Sequence, residues 1–264
     1  MTDARAKLPA PASGFRWTRE TWGDALRCDR LGAHAQHLFT SKQLALPDPA
    51  AWQAALGSLS STPDRLMRVK QVHGNSVRVL KRGEVSAAAH EQRPDGDAIV
   101  SNEPGLALAV MVADCTPILI VDPERGAAAA VHAGWRGTCA RIAPAAVEAM
   151  QREFGSDPAG MIAAIGPSVG PEDYEVGESL IDDFLAAGHA KADVERWFIA
   201  MSPRPHLDLW AANRDQLIAA GQRPETIYLC GLSTVSHPGI FDSYRVDGEN
   251  AGRMTGVIVV PPSP

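Results

Sequence analysis

Short apolar runs that follow one another closely restrict the fold of this chain more than any other sequence feature. They occupy residues 98–101, 106–112, 118–121 and 127–132, and turn residues rather than helical segments separate them. Parallel neighbours in a sheet need a crossover connection of a dozen or more residues, which these spacings do not provide. The pattern therefore predicts a sheet that is not purely parallel.

Turn signals and periodicity predict the neighbouring elements. The turn DPERG at residues 122–126 predicts an antiparallel pair, and LMRVKQV (66–72) with VRVL (77–80) predicts a hairpin around Gly74-Asn75. Apolar steps of three and four residues predict helices within 144–154, 178–188 and 207–221, each followed or closed by a glycine. The second helix is predicted to bury one face, formed by Leu180, Ile181, Phe184 and Leu185. A last strand is predicted at 226–230.

The order of these elements predicts the fold class. Strands cluster in the middle of the chain and helices mostly follow, which favours a mixed α/β fold: a single-domain sandwich of mostly mixed sheet packed with helices. We expect residues 15–264 to form this one catalytic domain. Residues 1–14 are rich in Ala and Pro and are predicted to be a loose tail.

Composition narrows the class of partner. The 264 residues carry 25 basic and 31 acidic side chains, a net charge of −6, and no short Lys/Arg cluster, which argues against nucleic acid. No run approaches the roughly 18 apolar residues of a membrane helix, and the first twenty residues lack the apolar region of a signal peptide. The four cysteines form no C-x-x-C pair. We expect a cytoplasmic protein with reduced thiols and a small-molecule partner.

Three stretches each place a reactive side chain at the end of a strand-like run. KQVHGNSV carries His73, ADCTP carries Cys115, and VHAGWRGT carries His132. Two imidazoles and a thiolate suit zinc, and three protein ligands leave the open position that is typical of catalytic zinc. Plainer interpretations stay open: the histidines as hydrogen-bonded structural residues, and Cys115 as a small buried hydrophobe.

Polar residues around these stretches are further candidates. Asp114 needs a partner if it is buried, and it is predicted to accept loop amides, to orient a ligand histidine or to donate a proton. Arg136 is predicted to hold a phosphate or carboxylate, with a surface ion pair as the alternative. The Asp95-Gly96-Asp97 sequence predicts a turn rather than a hard-metal loop. The other histidines are expected to be structural or exposed: His34, His37, His90, His189, His206 and His237.

Six motifs occur in an order that resembles the bacterial laccase-domain family, also called multicopper polyphenol oxidase-like or purine nucleoside phosphorylase-like. They are KQVHGNSV, DGDAIVS, ADCTPILIVD, AAVHAGWRGT, IGPSVGPEDYEVG and SYRVDG, within a resemblance that runs from about residue 38 to residue 258. The resemblance implies a single-domain α/β fold and a mononuclear zinc site on His73, Cys115 and His132. It also implies purine nucleosides and phosphate as partners, with phosphorolysis of adenosine, inosine and methylthioadenosine and deamination of adenosine as activities.

Departures from the family pattern bear on substrate preference. Ser168 stands where the family often has Cys, Val246 stands for the second Arg of SYRRDG, and Cys230-Gly231 replaces a frequent Cys-Thr.

Three other functions remain open. A cysteine hydrolase acting on an amide or a cell-wall precursor would use Cys115 as nucleophile and His132 as base. A copper-dependent polyphenol oxidase is disfavoured, because the chain has only eight histidines and no H-x-H pair. The non-enzyme alternative is a zinc-stabilised protein that binds cell-wall fragments.

Overall fold

The computed structural model describes residues 7–262. The strands are β1 Phe15–Glu20, β2 Gly23–Cys28, β3 His37–Thr40, β4 Leu66–Met67, β5 Val77–Leu80, β6 Ala98–Ser101, β7 Ala107–Val112, β8 Thr116–Asp122, β9 Ala127–Ala133, β10 Ile162–Ile165, β11 Phe198–Ile199, β12 His206–Leu207, β13 Ile227–Leu229 and β14 Met254–Val259. The helices are α1 Asp29–Gly32, α2 Pro49–Gly57, α3 Trp135–Cys139, α4 Ile142–Phe154, α5 Ser179–Ala186, α6 Lys191–Trp197, α7 Leu209–Ala219 and α8 Tyr244–Asp247. Single 3₁₀ turns span Pro63–Arg65, Ala89–Glu91, Pro158–Gly160, Pro224–Thr226 and Gly248–Asn250.

Two six-stranded sheets form the centre of the molecule. The first has the order β1-β2-β3-β14-β7-β4 and the second β13-β10-β8-β9-β6-β5, while β11 and β12 form a separate ribbon. In the first sheet β4 is parallel to β7, and in the second β5 is parallel to β6 and β10 to β13; the other pairs are antiparallel. The prediction of a mixed α/β fold with mixed sheet is confirmed.

Side chains of β8 and β9 are buried on both faces of the second sheet. Leu119 and Ala130 lie in the cluster that both sheets contribute to, whereas Ile120 and Val131 pack in the cluster that also contains α4 residues such as Met150. A strand covered on both faces needs apolar residues at nearly every position rather than at alternate ones. This burial explains the nearly continuous aliphatic runs of these strands. The outer face of the first sheet is covered by α2.

The pairing of the short strands differs from prediction. The DPERG turn does join an antiparallel pair, β8 with β9. The predicted hairpin of 66–72 with 77–80 is wrong, because β4 pairs with β7 in the first sheet and β5 pairs with β6 in the second. The segment between β4 and β5 therefore crosses from one sheet to the other. Strands of two and four residues take their partners from tertiary packing rather than from a local turn.

The helices follow the periodicity, with one exception. Helix α4 begins at Ile142, ahead of Pro144, because a proline in the first turn has no intrahelical hydrogen bond to lose. Gly155 ends this helix in the left-handed region, with φ of 68°. In α5, Phe184 is buried, but Leu185 is 39% exposed. The predicted face is therefore wrong at Leu185, since α5 packs only against a small outlying cluster with α6 and α7.

The N-terminal segment is held to the body of the protein over its described part. Residues 7–14 contain no helix or strand, and residues 1–6 of the predicted tail lie outside the described residues. The amide of Ala12 donates to the Cys230 carbonyl at 2.9 Å, and Trp17 Nε1 donates to the Pro9 carbonyl at 2.8 Å. Over residues 7–262 we find no helix that combines the length and apolar character needed to cross a membrane.

Candidate metal centre

The connection from β7 to β8 carries the chain from the first sheet to the second, and Cys115 lies in it. Packed sheets are separated by about 10 Å, so the three residues 113–115 must turn sharply to span the gap. Asp114 has φ of 81°, in the left-handed region that a residue other than glycine seldom adopts. This corner interrupts the aliphatic run and leaves the Cys115 thiol partly exposed at the end of the sheets.

The loop that follows β4 brings His73 beside Cys115. The side-chain amide of Gln71 donates to the Met111 carbonyl at 2.7 Å and accepts the Met111 amide at 2.8 Å, which fastens the loop to the end of β7. His73 has φ of 61°, and its Nε2 lies 4.0 Å from Cys115 Sγ. Asn75 Nδ2 donates to the Ala140 carbonyl at 3.0 Å, which ties the loop to the residue after α3.

Asp97 joins the second histidine to the same loop. His132, at the end of β9, donates from Nδ1 to Asp97 Oδ1 at 2.9 Å. The amide of His73 donates to the same oxygen at 2.9 Å, and the amide of Gly74 donates to Oδ2 at 2.6 Å. Asp97 is fully buried. One carboxylate therefore orients the His132 ring and positions the His73 backbone.

The role of Asp97 was missed by the sequence interpretation, which placed Asp95–Asp97 in a turn. The signal was present, because the carboxylate directly precedes β6, a strand that is buried at every position. A charge at such a place needs partners. Orientation of a ligand histidine, one of the roles considered for Asp114, belongs to Asp97.

The three predicted ligands meet at one point. His73, Cys115 and His132 each offer one ligand atom, and these atoms lie within 4.8 Å of one another. Typical bond lengths to zinc give a tetrahedral site with ligand–ligand edges of about 3.5 Å, so small side-chain shifts close this group around an ion. Among residues 7–262 it is the single group of this kind.

Gly134 allows the close approach of α3 to this group. A Cβ at position 134 would lie 2.7 Å from Cys115 Sγ and 3.3 Å from His73 Cδ2. Real contacts of this kind essentially never occur at the shorter distance, so any larger residue would displace the thiol. A bound metal ion would fit this group. Two imidazoles and a thiolate supply the ligand atoms, Asp97 holds His132 and the His73 loop by hydrogen bonds, and Gly134 packs closely against the thiol.

The charges of the ligands are strongly coupled. Burial raises the pKa of the Cys115 thiol, but the neighbouring imidazoles of His132 and His73 outweigh it and lower this pKa to about 6. Burial lowers the pKa of His132, but the Cys115 thiolate and the Asp97 carboxylate outweigh it and raise this pKa to about 9. These shifts favour the thiolate form of Cys115, and a thiolate is the form that binds a metal.

Asp114 lies next to the ligands but its carboxylate is occupied. Oδ1 accepts a hydrogen bond from Thr234 Oγ1 at 2.6 Å, and Oδ2 accepts one from the Arg245 amide at 2.6 Å. Its backbone carbonyl accepts the Val169 amide at 2.9 Å. Asp114 thus holds three loops around the corner that carries Cys115, in line with its expected role as an acceptor of loop amides.

Arg136, Tyr174 and Arg245 lie near Cys115, since the charges of Cys115 and of both arginines act on the Tyr174 hydroxyl. The guanidinium of Arg136 lies 4.1 Å from the centre of the Trp135 ring and is exposed. That of Arg245 lies 5.2 Å from the Tyr174 ring and donates to the Glu175 carbonyl at 3.0 Å. Burial raises the pKa of Tyr174 to about 12, and the negative charge of Cys115 adds to this shift. Sequence interpretation missed Tyr174 and Arg245, although EDYEVG and SYRVDG contain them.

The three residues that depart from the family pattern lie in different environments. Ser168 is buried, and its Oγ accepts a hydrogen bond from Trp210 Nε1 at 2.6 Å. Cys230 is also buried, whereas Val246 is 48% exposed and follows Arg245. Of the three, only Val246 presents its side chain to solvent beside a residue that lines the site.

Comparison with known proteins finds relatives and a solved structure that match over most of the chain. The chain is 39% identical over 220 residues to a purine nucleoside phosphorylase of Deinococcus radiodurans, covering 81% of this chain and 79% of that protein. It is 36% identical over 202 residues to adenosine deaminase RL5 of an unknown prokaryotic organism, covering 74% and 75%. The crystal structure of YlmD from Geobacillus stearothermophilus matches with a TM-score of 0.81 and 28% identity, over 93% of this chain and 99% of that one. Residues 50–261 match the family model described as multi-copper polyphenol oxidoreductase laccase, and the chain belongs to that family.

Proposed function

We propose that this protein is a zinc-dependent enzyme that processes purine nucleosides, by phosphorolysis of adenosine, inosine and methylthioadenosine and by deamination of adenosine. The observation that carries the proposal is the convergence of His73, Cys115 and His132 at the junction of the two sheets. Support comes from relatives named purine nucleoside phosphorylase and adenosine deaminase, at 39% and 36% identity.

The donor set favours zinc over the alternatives. Two imidazoles and one thiolate are ligands that zinc prefers, and three protein ligands leave a position open. A multi-copper oxidase needs several copper sites, whereas residues 7–262 form one such group of ligands. When bound, zinc would supply Lewis-acid stabilisation of developing negative charge.

The chain's own residues bind and orient the reactants. In phosphorolysis the bond between C1′ and the purine nitrogen breaks, its electron pair leaves with the purine, and an oxygen of phosphate bonds to C1′. Arg136, an exposed guanidinium two residues after Gly134, would hold the phosphate. Asp97 keeps the His132 ring aligned. We assign Asp114 a positioning role rather than that of proton donor, because both of its oxygens accept hydrogen bonds.

The test of the proposal is removal of the thiolate. Cys115→Ala is expected to lose stoichiometric zinc, measured by elemental analysis of purified protein, and phosphate-dependent cleavage of adenosine, measured by release of adenine. Cys139→Ala is the matched control, because its thiol is also partly exposed but contacts the Asp183 carbonyl at 3.7 Å. A Cys115→Ala protein that retains both zinc and activity would contradict the proposal.

One observation favours a second candidate, a cysteine hydrolase. The lowered pKa of Cys115 and the pairing of His132 with Asp97 place thiolate, imidazole and carboxylate in sequence, as nucleophilic catalysis requires. This candidate predicts a covalent acyl group on Cys115, detected by mass spectrometry after incubation with amide substrates or cell-wall precursors. Protection of Cys115 from alkylation by zinc, with no acyl adduct, would decide for the metal site.

A further inference from the structure

Two arginines from separate parts of the chain lie close to Tyr174, and the charges of both arginines and of Cys115 act on its hydroxyl. Arg136 lies in the first turn of α3, directly after Gly134, which leaves no room for a Cβ against Cys115 Sγ. Arg245 lies at the start of α8, and its amide donates to Asp114 Oδ2 at 2.6 Å, beside Cys115 in the chain. The backbone of Arg245 is thus fixed by the residue next to Cys115, and Arg136 lies two residues after the glycine that packs against the Cys115 thiol.

Neither guanidinium is neutralised by a carboxylate in the part of the chain that the structure describes. The contacts of Arg136 are with the Trp135 ring, and those of Arg245 are with the Tyr174 ring and the Glu175 carbonyl. Both side chains are exposed. Guanidinium groups that keep free N–H donors next to a catalytic centre match the oxygens of phosphate.

Tyr174 provides a third donor near the two arginines and Cys115. Its ring packs against Arg245, and its hydroxyl has no hydrogen-bond partner within residues 7–262. The ring is partly buried while its polar end stays free. A phenol in this position can donate a hydrogen bond to an anion without adding charge.

The acidic surroundings make such cations necessary for an anionic substrate. The carboxylates of Asp97 and Asp114 flank the metal ligands, and the whole chain has a net charge of −6. Together with the Cys115 thiolate these carboxylates carry three negative charges against the two positive charges of a bound zinc ion, so fixed positive charges nearby would favour phosphate. Arg136 and Arg245 are cations close to Tyr174.

We propose that Arg136, Arg245 and Tyr174 form an oxyanion subsite that binds the inorganic phosphate consumed in phosphorolysis. This inference rests on the proposed function and adds to it a location: phosphate on the arginine side, and the purine on the side of the metal ligands. The subsite therefore sets the affinity for phosphate separately from metal binding.

The experiment measures the KM for inorganic phosphate at saturating adenosine, with full-length zinc-loaded proteins. Arg245→Gln is expected to raise this KM about ten-fold or more, because it removes a charged donor but keeps the backbone amide that binds Asp114. Tyr174→Phe is expected to raise it about three-fold, for loss of one neutral hydrogen bond. Arg125→Gln is the control, since Arg125 is exposed in the turn at the other end of β8 and should change the KM less than two-fold.

Calorimetric titration with inorganic phosphate separates the subsite from the reaction. Weaker phosphate binding by Arg245→Gln supports the subsite even if the wild-type protein releases no adenine, in which case only the proposed function fails. An unchanged phosphate affinity, or a rise confined to the KM for adenosine, overturns the subsite while leaving the proposed function intact. Arg245→Lys, which keeps the charge and loses the planar fork, should give an intermediate KM and replaces Arg245→Gln if that variant does not fold.

Discussion

At the scale of single residues, the candidate metal site depends on one fully buried carboxylate. Asp97 accepts hydrogen bonds from the His132 ring and from the backbone of the His73 loop, so it fixes the relative position of two ligands that are far apart in the chain. Its pKa is lowered: burial opposes the charge, but the hydrogen bonds from His132 and the Gly74 and His73 amides outweigh burial. A charged acceptor in this position increases the basicity of the ligand imidazole and restrains its rotation.

Asp97→Asn tests this role. The amide keeps the size of the side chain but replaces one acceptor oxygen by a donor, so it cannot accept all three N–H groups. We expect affinity for zinc to fall about 10- to 100-fold, measured by competition with a chromogenic chelator. Asp95→Asn is the control, because Asp95 is exposed and its carboxylate lies 3.3 Å from Lys70 Nζ at the surface. Equal zinc affinity in Asp97→Asn and the control would refute the role.

At the scale of elements, strands β8 and β9 and helix α4 make the platform from which Cys115 and His132 project. The side chains of α4 pack on the face of the second sheet that points away from the first sheet. The ligands lie at the ends of the strands rather than on this face. Stability and metal binding should therefore respond separately to changes in α4.

Met150→Ala tests this separation. Met150 is fully buried against the sheet, and truncation of such a side chain costs about 2–4 kcal/mol through lost contacts and a residual cavity. Urea denaturation monitored by circular dichroism should show this loss, while zinc content stays stoichiometric. Gln151→Ala, an exposed position of the same helix, should lie within about 0.5 kcal/mol of wild type. Loss of zinc from folded Met150→Ala would show that the helix and the site are coupled.

At the scale of the whole molecule, stability depends on pH through a histidine outside the site. His37 is buried in β3; its Nε2 accepts the Cys28 amide at 2.9 Å, and its Nδ1 donates to the Ala35 carbonyl at 3.1 Å. Burial lowers the pKa of His37 to about 4. The folded protein therefore keeps this ring neutral at pH values where the unfolded chain binds a proton.

The consequence is a loss of stability on acidification. Above pH 6.5 the contribution is complete, and it is lost as the pH falls from about 6.5 to about 4, up to roughly 3 kcal/mol. His37→Gln retains an acceptor for the Cys28 amide and does not titrate. Its free energy of unfolding should therefore fall less steeply in this pH interval than that of wild type. Metal release affects both proteins alike, so it cancels in the difference between the two curves. Parallel curves would show that His37 does not contribute.

The local sequence pattern was sufficient to predict several strands and helices and three residues of the candidate site. Apolar runs and turn residues predicted strands β6 to β9, spacing predicted α4 and α7, and strand ends pointed to His73, Cys115 and His132. These features can be predicted from the sequence because each depends on residues that are neighbours in the chain. The signals are an apolar run for a strand buried on both faces, a period of three to four residues for a helix, and a corner that interrupts an aliphatic run. Tertiary structure alone decided which sheet β4 and β5 join and that Asp97, rather than Asp114, orients a ligand. It also decided that Tyr174 and Arg245 lie near Cys115, because contacts between distant segments follow from the packing of two sheets and leave no periodic trace in the chain.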